Sequence, residues 1–265
     1  MKKIIFFDID GTLIDSINGI KNISPNVKKA IKELQRNGNY AFIATGRPYA
    51  FLPSTILDFG FDGFILANGA HIIINNRTIY SDSIDKVFIK TLVEQLENNN
   101  IEYVLQGEKY CYMKDCFKNF HNYLDKIEVS KRYIKHNYNC EEIDIHKVEV
   151  MCEDDEMEEV CLSYINKNPQ CSYFSSINKR AIEVYIKKNT KSRAILQVIN
   201  YLNISIENTY AFGDGKNDID MLKEVACGIA MENSSNEVKH IADYITDSVI
   251  NDGVALGIMK YIINA

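Results

Sequence analysis

The sequence predicts an α/β protein with a Rossmann-like, doubly wound parallel sheet and an inserted α+β domain. Three observations predict it. Short, continuous apolar runs alternate with amphipathic helical stretches in the first 80 and last 75 or so residues. The stretch between, 82–187, changes character: it is richer in Tyr, Cys and acidic residues. Polar residues of a few types recur just after the apolar runs, where open parallel sheets bind ligands.

The elements follow in order. "KIIFFD" (3–8) is a continuous apolar run, as a strand buried on both faces requires. "SPNVKKAIKELQRNG" (24–38) is a helix capped by Ser24, with Pro25 in its first turn and Gly38 past its end. Val27, Ala30, Ile31 and Leu34 form its apolar stripe. "YAFIAT" (40–45) is a strand, followed by a helix over 48–57 and a strand "GFILAN" (63–68). "HIIINNRTIY" (71–80) reads as a hairpin turning at Asn75 and Asn76.

In the middle, helices are expected over 84–98 and 153–167, among strands "EYVLQG", "KVEVMC", "SYFSS" and "AIEVYI". The late part alternates again. Helices over 191–203, 217–225, 236–242 and 252–263 separate strands over 209–214, 227–231 and 243–246. The expected domains are therefore a core of 1–81 plus 188–265 and an insertion of 82–187. A chain of 265 residues suffices for both.

Bulk properties narrow the function. The chain is 46% hydrophobic and 25% charged, ordinary for a soluble globular protein. A net charge of -6 disfavours general binding to nucleic acid or anionic membrane. The densest basic patch, "SKRYIKH" (130–136), reads as a solvated face. No apolar run approaches a membrane span, and Asp8 and Asp10 cut short the apolar start, which is too brief for a signal peptide. Seven cysteines show no C-x-x-C pair and no His/Cys spacing typical of zinc, which points to free thiols and a cytoplasmic protein.

The chemistry gathers at strand ends. Asp8, Asp10, Gly11 and Thr12 follow the first strand; Thr45, Gly46 and Arg47 follow the second; Asp214, Gly215, Asn217 and Asp218 follow "TYAFG". Singly, each stretch reads as a turn. Jointly, four Asp, two Thr and one Arg at the ends of strands in one sheet read as a site. Calcium-loop spacing is not met, because the required Gly and terminal Glu are missing. Asp8, Asp10 and Asp214 are hard oxygen ligands suited to Mg²⁺, which would neutralise their mutual repulsion. Thr45, Lys191, Asn217 and the backbone N–H groups near Ile9 and Gly46 are placed to hold phosphate oxygens, with Arg47 beside them.

The motifs "DIDGT" (8–12), "ATGRP" (44–48), "NGA" (68–70), Lys191, "GDGKND" (213–218) and "DGVA" (252–255) resemble the haloacid dehalogenase superfamily. More narrowly, the chain looks like its Cof-type phosphatases (subclass IIB), which carry a large cap after the third core strand. The resemblance implies a Mg²⁺-dependent hydrolase of small phosphate monoesters: sugar phosphates, pyridoxal phosphate or flavin mononucleotide. It implies Asp8 as nucleophile, forming an aspartyl-phosphate and binding metal. Asp10 matches the general acid/base, which also binds metal through its carbonyl. Asp214 matches a direct metal ligand, with Asp218 close by. Thr45, Lys191 and Asn217 match phosphate contacts, Lys191 steadying the transition state.

The same core also suits a phosphotransferase or mutase, or a non-catalytic phosphate sensor. The expected partner is a small phosphorylated metabolite, with no nucleic acid and no membrane, and the protein a monomer or weak dimer. One departure is plain: Ser192 follows Lys191 where the family usually has Gly, and Lys187 and Lys188 lie nearby. Helix phase favours Lys191, because it turns Ile195, Val198 and Ile199 inward. In the insertion, Tyr173, Phe174, Asn178, Lys179, Arg180 and Glu183 are candidates to face a substrate.

Overall fold

A computed structural model describes residues 2–16, 18–127, 129–176 and 181–263. In chain order it shows β1 (Ile4–Phe7), α1 (Pro25–Arg36), β2 (Tyr40–Ala44), α2 (Ser54–Leu57), β3 (Gly63–Leu66), β4 (His71–Ile74) and β5 (Arg77–Ser81). Next come α3 (Lys86–Asn98), β6 (Glu102–Gly107), β7 (Cys111–Tyr112), α4 (Lys118–Lys126), β8 (Ile134–Lys135), β9 (Ile145–Met151), α5 (Asp155–Ile165), β10 (Cys171–Ser176) and β11 (Ala181–Ile186). The chain closes with α6 (Lys191–Leu202), β12 (Thr209–Gly213), α7 (Ile219–Glu224), β13 (Cys227–Ala230), α8 (Asn236–Ile241), β14 (Tyr244–Ile245) and α9 (Gly253–Ile258). Among the described residues, no helix is long and apolar enough to cross a membrane.

The chain divides into two compact units. The first comprises Met1–Gly46, Ser54–Tyr80 and Thr190–Ala265. Its sheet runs β14-β13-β12-β1-β2-β3-β4-β5. The six strands from β14 to β3 are parallel, and β4 joins β3 antiparallel. Every residue of β1 is fully buried, as its unbroken apolar run requires. The α/β reading therefore holds, with a hairpin added at one edge. Asn75 (φ 49°) and Asn76 (φ 60°) turn that hairpin in the left-handed region, which Asn tolerates.

Local chemistry accounts for the helices. Ser24 caps α1 by accepting from the Val27 N–H at 3.1 Å, and Val27, Ala30, Ile31 and Leu34 are buried. Asp252 turns in the left-handed region before α9 (φ 57°), and its carboxylate accepts from Ser24 Oγ and, at 2.6 Å, from Asn26 Nδ2. A side chain at Gly253 would meet the Asp247 carbonyl at 1.8 Å, so "DGVA" is a junction between α1 and α9 that only Gly permits.

The helix expected over 48–57 is broken. A single 3₁₀ turn at Tyr49–Phe51 is followed by extended Leu52 (ψ 130°) and the short α2. Pro53 is the reason, because it pushes the residue before it out of the helical region.

The second unit comprises Arg47–Pro53 and Ser81–Asn189. The 47–53 segment thus groups with the insertion, although the sequence assigns it to the core. Ala50 and Phe51 supply the reason: they pack in one cluster with Val104, Cys111, Phe120 and Leu124. The unit's sheet runs β10-β11-β9-β6-β7-β8. Alternation divides its faces. Tyr103, Leu105, Val148, Val150, Ile182 and Val184 pack with residues of α3 and α5. The opposite face carries a polar group: Lys147 Nζ donates to Glu183 Oε2 at 2.8 Å, and Gln106 Nε2 to Glu149 Oε2 at 3.1 Å. Glu183 is thereby engaged, Tyr173 and Phe174 are exposed, and Asn178, Lys179 and Arg180 lie outside the described residues.

Candidate active site

The site is built in the first unit from the carboxyl ends of β1 and β12 and the start of α6. Asp8 extends β1, its N–H donating to the Phe212 carbonyl at 3.0 Å, so the ladder fixes its position. Its carboxylate is buried and accepts from Lys191 Nζ at 2.6 Å. The same ammonium donates to Asp218 Oδ1 at 2.5 Å.

Lys191 is the first residue of α6, and its side chain is wholly buried. Thr190 caps the helix, accepting from the Arg193 N–H at 3.2 Å. Lys191 shares the buried face with Ala194, Ile195, Val198 and Ile199, so the apolar stripe itself turns the ammonium inward. Lys187 and Lys188 are exposed, and Lys188 pairs instead with Asp82 at 3.1 Å.

Asp218 is saturated. Its second oxygen accepts from the N–H groups of Asp214 (3.0 Å) and Gly215 (2.9 Å), so it organises the loop after β12 as well as holding Lys191. Asp214 accepts from Thr12 Oγ1 at 3.0 Å. One carboxylate oxygen each from Asp8, Asp214 and Asp218 lies within 4.8 Å of the others.

Three carboxylates therefore share one buried ammonium, and the balance is negative. Burial raises the Asp8 carboxyl well above the usual range; Asp218 and Asp214 add to this, and Lys191 opposes it. Burial, then Asp218, pushes Asp214 up to about 7. Burial works against the Lys191 charge, but Asp218 and Asp8 outweigh it and hold the ammonium above its ordinary value. Clustered hard oxygens with excess negative charge are the donor set that a small divalent cation fits.

Gly11 permits the arrangement. Its φ is +82°, and a Cβ there would fall 2.1 Å from Asp214 Oδ2. Gly11→Ala must displace Asp214. We expect the melting midpoint to fall, and thermal unfolding checks it.

The other expected residues sit nearby in sequence with distinct placements. Ile9 is buried, and its carbonyl accepts from the N–H groups of Thr12, Leu13 and Ile14, which closes the turn after Asp8. Asp10 and Asn217 are exposed, and neither belongs to the carboxylate cluster. Thr45 is buried at the end of β2, with its N–H on the Ile65 carbonyl and its carbonyl on the Asn68 N–H. Gly46 follows it, close to Asn68 Oδ1. Arg47 belongs to the second unit, where Nη1 donates to the Phe51 carbonyl at 2.9 Å.

Asn233, which the sequence reading passed over, holds the turn after Asp8. Its Nδ2 donates to the Gly11 carbonyl at 2.8 Å, while its Oδ1 accepts from the Val249 N–H at 3.0 Å. Its position just beyond β13, another strand end of the same sheet, is the signal that could have found it.

A parallel sheet presenting these aspartates and a buried lysine is the framework of one hydrolase class. The chain belongs to the haloacid dehalogenase-like hydrolases, whose family model matches residues 5–258. It is a phosphatase of that superfamily, a hydrolase acting on phosphate esters.

It is 32% identical to the Bacillus subtilis protein YkrA over 97% of this chain and 99% of that one. It is 29% identical to the B. subtilis 5-amino-6-(5-phospho-D-ribitylamino)uracil phosphatase YcsE, over 98% and 96% of the two chains. Among solved structures, the subclass IIB sugar phosphatase BT4131 superposes with a TM-score of 0.80 at 27% identity, covering 98% of this chain and 99% of that one.

Proposed function

We propose that the chain is a Mg²⁺-dependent phosphatase of small phosphate monoesters that works through an aspartyl-phosphate on Asp8. The observation that carries this reading is the Lys191 ammonium bonded to both Asp8 and Asp218 beside Asp214. A buried carboxylate held by one lysine is fixed in place, and a bound cation would keep it ionised as a nucleophile.

In the first step an Asp8 oxygen attacks phosphorus, the bond to the leaving oxygen breaks, and Asp10 gives that oxygen its proton. In the second, Asp10 takes a proton from water, the water oxygen attacks phosphorus, and the phosphorus–Asp8 bond breaks to restore the carboxylate. The exposed setting of Asp10 suits a group that must meet leaving group and water in turn. Thr45, Asn217 and the N–H groups of Ile9 and Gly46 hold the phosphate oxygens.

Mg²⁺ would be held by Asp8, Asp214 and the Asp10 carbonyl, with Asp218 beside them, and would screen the phosphate charge from the carboxylates. Sugar phosphates, pyridoxal phosphate and flavin mononucleotide head the substrate list. The ribitylaminouracil phosphate in the name of YcsE joins it. All seven cysteines are free, which suits a cytoplasmic enzyme.

The test is phosphate release from a panel of these esters, with Mg²⁺ and with EDTA. Mg²⁺-dependent release, lost on chelation, is the expected result, and the ranking of esters names the substrate class. Equal release in EDTA overturns the metal assignment. A phosphorylated acceptor in place of free phosphate, on adding a second sugar, overturns hydrolysis in favour of phosphotransfer.

Chelation also has a pH signature. The raised carboxyls of Asp8 and Asp214 favour the protonated fold, so their contribution to stability is full below the ordinary value of 3.8. For Asp214 it is lost as pH rises through about 7. Lys191, raised above 10.5, keeps its contribution throughout this window. Mg²⁺ relieves the repulsion that appears as Asp214 ionises. The rise in melting midpoint on adding Mg²⁺ is therefore expected to be larger at pH 8 than at pH 5.5, as thermal scans with and without EDTA would show.

A further inference from the structure

A second set of metal-ligand side chains lies wholly within the second unit. Asp115 sits in the turn before α4, His121 on α4, and His136 just past β8. Asp115 Oδ1 is 3.8 Å from Nε2 of each imidazole. The two rings are 5.5 Å apart between centroids, and one ligand atom from each of the three residues lies within 4.8 Å of the others.

Hydrogen bonding decides which ring atoms are available. His136 Nδ1 lies 3.1 Å from the Met113 carbonyl, a contact it can make only as a donor, so in the neutral ring Nε2 presents its lone pair. A second-sphere bond of this kind orients metal-binding histidines generally. His121 Nε2 is buried and has no hydrogen-bond partner among the described residues. A buried nitrogen left unpartnered costs free energy that a bond to a metal would recover.

Separations of 3.8 Å are too long for hydrogen bonds. They lie a few tenths of an ångström beyond the roughly 3.3–3.5 Å that separates neighbouring ligands of a tetrahedral zinc ion. Two imidazoles with one carboxylate favour Zn²⁺ and its transition-metal neighbours over Mg²⁺, which prefers oxygen alone.

We propose that Asp115, His121 and His136 form a Zn²⁺-type transition-metal site, distinct from the carboxylate cluster of the first unit, with water completing the coordination. Such an ion would tie the turn at Asp115, the helix α4 and the chain after β8 to one point. Helix α4 is already tied to a strand at its start. Its N-cap, Phe117, offers no side-chain bond, and its first N–H groups rely on Glu102 of β6.

The experiment titrates untagged, full-length protein with Co²⁺ in excess Mg²⁺, which keeps the carboxylate cluster occupied. One equivalent of Co²⁺ is expected to give the visible bands of nitrogen-ligated cobalt, and Zn²⁺ to abolish them. The bands should disappear in His121→Gln and in His136→Gln, while Mg²⁺-dependent phosphatase activity and circular dichroism stay unchanged. Cys116, adjacent to Asp115 and exposed, is the control, and Cys116→Ser should keep the bands. Absence of Co²⁺ binding by the wild type, or bands that survive in both histidine variants, overturns the proposal.

Discussion

Asp8→Asn is expected to abolish phosphate release, by at least about 10³-fold, and to leave the fold intact, if Asp8 is the proposed nucleophile. The amide keeps the shape of the carboxylate and can still accept from Lys191, but it cannot attack phosphorus and return as a leaving group. Stability should not fall. Burial, Asp218 and Asp214 already disfavour a charge at position 8, so removing it lowers the repulsion in the cluster. Phosphate release measured beside circular dichroism and thermal unfolding at pH 8 tests both halves. Near-normal turnover would remove Asp8 from the nucleophile's place. Lost turnover with a collapsed fold would mean that the aspartate is structural.

Lys191→Met is expected to lose both activity and stability. The lysine is the sole partner that the structure gives Asp218 Oδ1 among the described contacts, and it also holds Asp8. Taking it away leaves two buried carboxylates without their cation, a change that costs about 3–5 kcal/mol in comparable buried pairs. Methionine fills similar volume, so a cavity contributes little. The loss should shrink at acid pH. Without the ammonium the Asp8 carboxyl, already raised by burial, loses the group that opposes the rise, and a proton taken up at pH 5 relieves what remains unrelieved at pH 8. Urea unfolding at the two pH values measures this. An equal loss at both would assign the effect to packing and not to charge.

Elements whose signal is local were legible. Helix α1 declared itself through Ser24, Pro25 and its apolar stripe; β1 through four consecutive apolar residues; the hairpin through Asn75–Asn76. Lys191 was legible for the same reason, since the phase of α6 turns it to the buried face without reference to any other element.

Helix α4 was passed over, and its sequence explains why. "KNFHNYLDK" buries only Phe120 and Leu124, and its capping comes from Glu102 on a distant strand. The short β7 and β8 carry too few residues for any period to show. The 48–57 segment misleads in the other direction, because its apolar residues have a helical spacing that Pro53 interrupts.

By itself the sequence determined the α/β class, the strand ends where carboxylates gather, and Lys191 as the inward lysine. These follow from periodicity and short-range sterics, which act within a few residues and so are written in order along the chain. Only the tertiary structure decided who meets whom. It placed Asp218 between Lys191 and the amides of Asp214 and Gly215, set Thr12 on Asp214, and put Asn233 on the turn at Gly11. It sent Ala50 and Phe51 to the second unit and brought Asp115, His121 and His136 together from separate segments. Those meetings depend on how elements pack and where turns return the chain, and no local pattern in the sequence records them.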